Sequence, residues 1–158
     1  MANVRITTNT TGTQPIITIG TGTAPDITVP FVQDLTITNK TGVYSYVNFT
    51  DADTRKLSTP ADNEVSTNIV LDKETFFGNS AATANSAAHL GIIGMSANKV
   101  AINFSIFWAG NAVASTDVYT TGSGFITNLA PVTKPDAPVW VSPLSIAVDG
   151  SFTTVVTG

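Results

Sequence analysis

The chain has 158 residues, no cysteine, and 11 acidic against 7 basic side chains. That length suits one domain whose folding buries roughly two thirds of the unfolded surface, and the missing cysteines exclude disulfides, zinc-thiolate sites and thiol nucleophiles together. A net charge of −4 with no basic run excludes wrapping around nucleic acid by phosphate neutralisation, although it leaves room for a surface past which DNA slides.

Only 11% of residues are charged and 42% are apolar, the polar remainder being mostly Thr, Ser, Asn and Gly. This is a β-rich composition, too apolar for disorder. It is also poor in charge for a monomer surface, so much of that surface is expected to be buried against further copies of the chain.

The opening MANVRITTNTTG lacks the apolar stretch of a signal peptide, and no run reaches the length of a membrane span. A protein that starts out cytosolic and soluble is expected. Asn9 to Thr13 and Gly20 to Thr23 are rich in Thr and Gly, while Pro25 and Pro30 limit the short extended stretches Pro15 to Ile19 and Ile27 to Val29. Residues 1–34 therefore read as edges or an extended N-terminal arm of a single domain spanning 1–158.

Leu35, Ile37 and Asn39 alternate with threonines, and after Thr41-Gly42 the run Val43 to Phe49 alternates again, which predicts a hairpin turning at Gly42. Thr50 to Asn63 has no periodicity and holds most of the local charge. It reads as one long loop. Glu64 to Leu71 reads as a strand ending in the core. After Phe76-Phe77-Gly78, Asn79 or Ser80 is a plausible cap for a helix carrying Ala84, Ala88, Ile92 and Met95 at helical spacing, which Gly91 and Gly94 weaken beyond Leu90.

Val100 to Trp108 alternates cleanly and is the strongest strand, expected to be central; Val118 to Thr120 is short, and Gly122-Ser123-Gly124 reads as a turn. Phe125 to Leu129 is a further strand. Pro131, Pro135 and Pro138 stop it and impose a crossing, after which Val139 to Val148 keeps a period of two if Ser142-Pro143 forms a bulge. Asp149-Gly150 suits a type I′ hairpin turn, with Phe152 to Val156 returning. The expected fold is mainly β, an antiparallel β-sandwich or partly rolled barrel with one flanking α-helix.

No chemistry-bearing set emerges. The lone histidine, His89, has no nucleophile motif beside it, Asp51-Ala52-Asp53 lacks the glycine of a calcium loop, and Gly20-x-Gly22 lacks the helix a phosphate loop needs. No enzyme activity, cofactor or metal is expected. Trp108 and Trp140 lie in phase with aliphatic neighbours and read as core or interface anchors rather than a sugar platform.

The order of the C-terminal parts, Gly124-Phe125-Ile126-Thr127, then Asp136, then Val148-Asp149-Gly150, resembles phage major tail tube proteins, and the likeness extends loosely from Leu35 onward. The resemblance implies a structural virion protein that forms hexameric rings stacked into a hollow tail tube conducting DNA without binding it specifically. It also implies tape-measure, tail-terminator and baseplate proteins as partners, no membrane, and synthesis in the host cytoplasm before incorporation into the tail. In that family a loop between two central strands reaches the adjacent ring, and Asp51, Asp53, Arg55, Lys56 and Asp62 lie in the matching place. Because the subunit has no surplus of cations, an acidic or neutral lumen is expected, with Asp34, Asp72, Asp117 and Asp149 as candidates to line it. A capsid decoration protein or a carbohydrate-binding surface module is the alternative.

Overall fold

A computed structural model describes residues 15–23, 26–108 and 118–156. Its centre is a nine-stranded sheet in which every recorded pairing is antiparallel and which does not close into a barrel. The strands are β1 (Ile16–Gly20), β2 (Ile27–Thr28), β3 (Val32–Tyr46), β4 (Arg55–Val70), β5 (Ile102–Phe107), β6 (Tyr119–Leu129), β7 (Val132–Lys134), β8 (Ala137–Val148) and β9 (Thr153–Val155), and the helices are α1 (Lys73–Phe77) and α2 (Ala87–Ala97). The main path runs β2-β1-β5-β6-β8-β4-β3, with β7 added to β8 and β9 to β6.

The core forms where alternating strands meet the helices. Val65, Ile69, Ile102, Phe104, Ile106, Leu144 and Ile146 point to one cluster, and Phe76 of α1 with Ala87, Ile92 and Met95 of α2 close it. These are the apolar phases of β4, β5 and β8, so the alternation read from the sequence is the burial pattern here. Within the 1–34 stretch, residues 1–14 lie outside the described residues. Ile16–Gly20 is no free arm: β1 sits between β2 and β5 with Ile17 and Ile19 fully buried.

One helix was expected, and the described residues hold two. The cap is Ser86 rather than Asn79 or Ser80, its side chain accepting from His89 N, while Asn79 N bonds back to Ala88 O. Gly91 breaks the helical conformation of α2 at φ 67°. The reason is a backbone crossing: a Cβ on Gly91 would lie 2.3 Å from Gly78 N, and one on Gly78 would lie 2.2 Å from His89 O. Two glycines at positive φ let the end of α1 touch the middle of α2.

Three other expectations are corrected. Gly122 and Gly124 are inside β6, not a turn, because the Phe104 ring covers one and the Ala147 carbonyl approaches the other. The bulge on this side of the sheet is at Thr127 of β6, since Ile126 pairs with Ile146 and Asn128 with Ser145, whereas β4 and β8 run in even register through Ser142-Pro143. Ser142 therefore occupies the buried phase, and it is satisfied there: its Oγ accepts from Ala130 N at 3.0 Å and bonds Pro143 O at 2.7 Å. Third, Asp149-Gly150 closes no hairpin. Of the two only Gly150 has positive φ, and β9 continues along β6 in the direction of β8, the kink shifting register between Gly124–Val148 and Thr121–Thr153. The proline-rich crossing is itself a hairpin, β7 to β8, turning at Pro135-Asp136.

Candidate assembly surfaces

The expected hairpin turning at Gly42 and the expected loop from Thr50 to Asn63 are in fact one longer hairpin. β3 runs straight through Gly42, and β4 begins at Arg55, so the connection is only residues 47–54. The sequence hid this because Thr59-Pro60 look like loop residues. They form a bulge, two residues opposite Gly42 between the pairs Thr41–Ala61 and Val43–Ser58, and a bulge is where a strand tolerates proline. A Cβ on Gly42 would meet only the Thr59 side chain, through its hydroxyl, and no backbone atom.

β8 pairs with β4 only from Glu64 to Val70. From Asn63 back to Arg55, β4 has β3 alone as partner, so about 30 Å of two-stranded ribbon leaves the body at 3.3 Å per residue. Such a ribbon is marginally stable in water. It is nonetheless apolar in places: Tyr44 lies opposite Leu57 and Tyr46 opposite Arg55, which gives one face two stacked tyrosines with ring centroids 6.3 Å apart beside an exposed leucine. Val43 is exposed on the other face, and Val47 and the fully exposed Phe49 crown the tip. Uncovered apolar side chains of this kind make the ribbon a candidate contact surface.

The tip is ordered by its own polar groups. Asp51 N donates to Asn48 O at 3.0 Å, and the Arg55 guanidinium grips the Asp51 carboxylate with two bonds, Nε to Oδ2 at 2.7 Å and NH2 to Oδ1 at 3.0 Å. This bidentate contact holds the Asp51 carboxyl below its ordinary value and the Arg55 group above its own. Asp51 and Asp53 thus belong to the tip, whereas Lys56 and Asp62 are exposed strand residues along the ribbon. Asn63 does not belong with them: it is buried and its Nδ2 donates to Gly150 O at 3.0 Å.

Of the four lumen candidates, Asp117 lies outside the described residues. Asp34 braces the hairpin root, its carboxylate accepting from Asn68 N at 2.8 Å and Asn68 Nδ2 at 2.7 Å beside the irregular pairing after Val32. Asp149 is exposed at the β8–β9 kink. Asp72 caps α1: the Thr75 hydroxyl, at 2.9 Å, and then the Thr75 N–H, at 3.2 Å, bond the ionised carboxylate and hold its pKa down. Asp72→Ala is expected to cost about 1 kcal/mol at neutral pH, because the cap holds in place the short helix that carries buried Phe76. A depressed folded pKa means this contribution is present above the ordinary value of 3.8 and is lost as pH falls through the lower folded value. Urea unfolding of both proteins across pH 7 to 2 checks it; a gap that persists at the acid end contradicts the capping account.

A second apolar surface went unread in the sequence. Between α1, α2 and the β7–β8 hairpin is an open hollow of about 440 Å³ lined chiefly by Leu71, Phe76, Phe77, Ile93, Val139 and Trp140. Phe77 is 62% and Trp140 53% exposed. Trp140 is in the phase of Ser142 and Leu144, not of Val141, because β8 carries no bulge on its β4 side. Trp108, by contrast, is half-buried and its Nε1 donates to Thr120 Oγ1 at 2.9 Å. Among the described residues no three His, Asp or Glu side chains come together as metal ligands.

No protein-family model and no curated protein matches the sequence. Solved structures do match over nearly the whole chain. A chain from the tail of an empty gene transfer agent particle, refined with C6 symmetry, superposes with a TM-score of 0.62 at 10% identity, covering 89% of this chain and 96% of that one. A chain from the sheath-tube complex of an extracellular contractile injection system gives 0.60 at 13% identity, covering 92% and 90%. One from the tube-terminating cap of the anti-feeding prophage gives 0.56 at 14% identity, covering 99% and 95%. These are components of tails, tubes and caps. The chain has the tail-tube fold, as its resemblance to the phage major tail tube family implies.

Proposed function

We propose that the chain is a structural subunit of a phage-type tail tube, forming hexameric rings that stack into a hollow conduit for DNA. The observation that carries this is the ribbon of β3 and β4: it projects beyond its own sheet with Tyr44, Leu57 and Phe49 uncovered, as a reach toward another subunit requires. The scarcity of charge supports the same reading. The symmetry named for two neighbours, C6 in the gene transfer agent tail and 6-fold in the anti-feeding prophage baseplate, supports rings of six.

In this reading tape-measure, tail-terminator and baseplate proteins are the further partners, and the virion tail is the destination. Six copies of a subunit with net charge −4 leave no cationic surplus for the bore, so DNA passes without being held. Electron microscopy of the purified protein at high concentration is expected to show rings or tubes with six-fold averages. The same reconstruction tests the lumen by locating Asp34, Asp72, Asp117 and Asp149 relative to the bore; a lining of Lys40, Lys73 or Lys99 contradicts the electrostatic account. A strictly monomeric species by light scattering at millimolar concentration overturns the tube itself.

A further inference from the structure

The chain carries an uncovered apolar knob and an uncovered apolar hollow, and one strand separates them. The knob is Val47 and Phe49 at the hairpin tip, next to Arg55 where β4 begins. The hollow starts where β4 ends: Val70 pairs with Val141, and Leu71 N donates to Trp140 O at 2.9 Å. β4 has 16 residues, so the two lie about 50 Å apart at opposite ends of the subunit's longest strand. A chain cannot fill its own hollow with its own tip across that span.

We propose that the hollow beside Trp140 and Phe77 is the docking site for the hairpin tip of a second copy, with Phe49 as the inserted side chain. This inference rests on the stacking reading above and adds the receiving surface to it. A knob and a socket on opposite poles make a head-to-tail contact, which repeats along a line instead of closing into a dimer. Size agrees, because a hollow of about 440 Å³ admits a phenyl ring with its neighbouring valine. Charge is close to balanced on both sides, with Asp72 and Lys73 at the rim of the hollow and Asp51 and Asp53 with Arg55 at the tip.

Area then decides what kind of assembly uses it. A buried aromatic covers about 150–250 Å², so one tip in one hollow is far below the roughly 1,200 Å² of a stable pairwise complex. A single contact is transient. Repeated around a ring, the same contact gains effective concentration from its neighbours and holds. The hollow is therefore expected to be filled in stacked rings and empty in free subunits.

The absence of cysteine from the sequence permits a direct test. Thr50, next to Phe49, and Lys73, at the rim of the hollow, are both exposed, so Thr50→Cys and Lys73→Cys leave the core, Phe49 and Phe77 intact. In assembled material the double variant treated with a short thiol-to-thiol cross-linker is expected to give a ladder of dimers, trimers and higher species on a denaturing gel. An equimolar mixture of the two single variants is expected to stop at dimers, and each single variant alone to give none above background. Tubes that form normally by microscopy but yield no ladder overturn the docking site and leave the stacking reading standing. Failure of the wild-type chain to form rings or tubes overturns that reading and the docking site with it.

Discussion

Excising residues 42–60 and joining Thr41 to Ala61 through an Asn-Gly turn is expected to leave a folded subunit that no longer assembles. Thr41 and Ala61 are register partners, so a two-residue turn closes the shortened hairpin without shifting a side chain to the other face. Every core residue lies outside the excised segment. The loss falls on Tyr44, Leu57 and Phe49, which are uncovered in the subunit, and on half-buried Tyr46, none of which belongs to the core. The cooperative thermal transition is expected to survive within a few degrees, while sedimentation detects no species above monomer where the wild type assembles. The cut must stop short of Asn63, whose buried side chain bonds Gly150 O. If the shortened chain loses its transition, the ribbon belongs to the folding unit; if it still forms tubes, the ribbon is not the inter-ring contact.

A large loss of stability is expected from Gly124→Ala. A Cβ there would lie 2.0 Å from the Ala147 carbonyl oxygen, in the register where Gly124 meets Val148. A carbonyl in a central pair cannot rotate away as a side chain can, so β6 and β8 must separate locally. Overpacking typically costs 1–3 kcal/mol, and with backbone as the obstacle about 3 kcal/mol or more is expected. Gly42→Ala is the matched control: its Cβ would come as close, but to the Thr59 hydroxyl, which turns away at small cost. Urea midpoints of the two variants and the wild type separate the cases. Equal shifts would show that the close approach to Ala147 relaxes freely.

Local alternation in β4 and β5 fixes which residues are buried, because a strand with one covered face must put its apolar side chains at every second position. Those strands were legible as residues 64–71 and 100–108. The resemblance in Gly124 to Thr127 and Val148 to Gly150 was legible too, although the local structure assigned to those glycines was not. Gly122, Gly124 and Gly150 read as turn residues because a glycine in sequence announces only conformational freedom. What it is used for, a phenyl ring from Phe104 overhead or a carbonyl from Ala147 alongside, is set by strands 18 to 23 residues away.

The hairpin marks the same boundary. Thr59-Pro60 carries a loop signal that is locally correct, and only pairing with β3 across Gly42 turns it into a bulge within a 16-residue strand. The sequence alone determined that this is a mainly β protein, poor in charge and with alternating core strands, since those follow from composition and nearest-neighbour periodicity. Tertiary structure decided where the sheet runs out under the ribbon, that Trp140 faces the hollow beside Phe77, and that tip and hollow lie at opposite ends of β4. Those features depend on which strands pair and in what register, and register is a long-range choice that no single segment encodes.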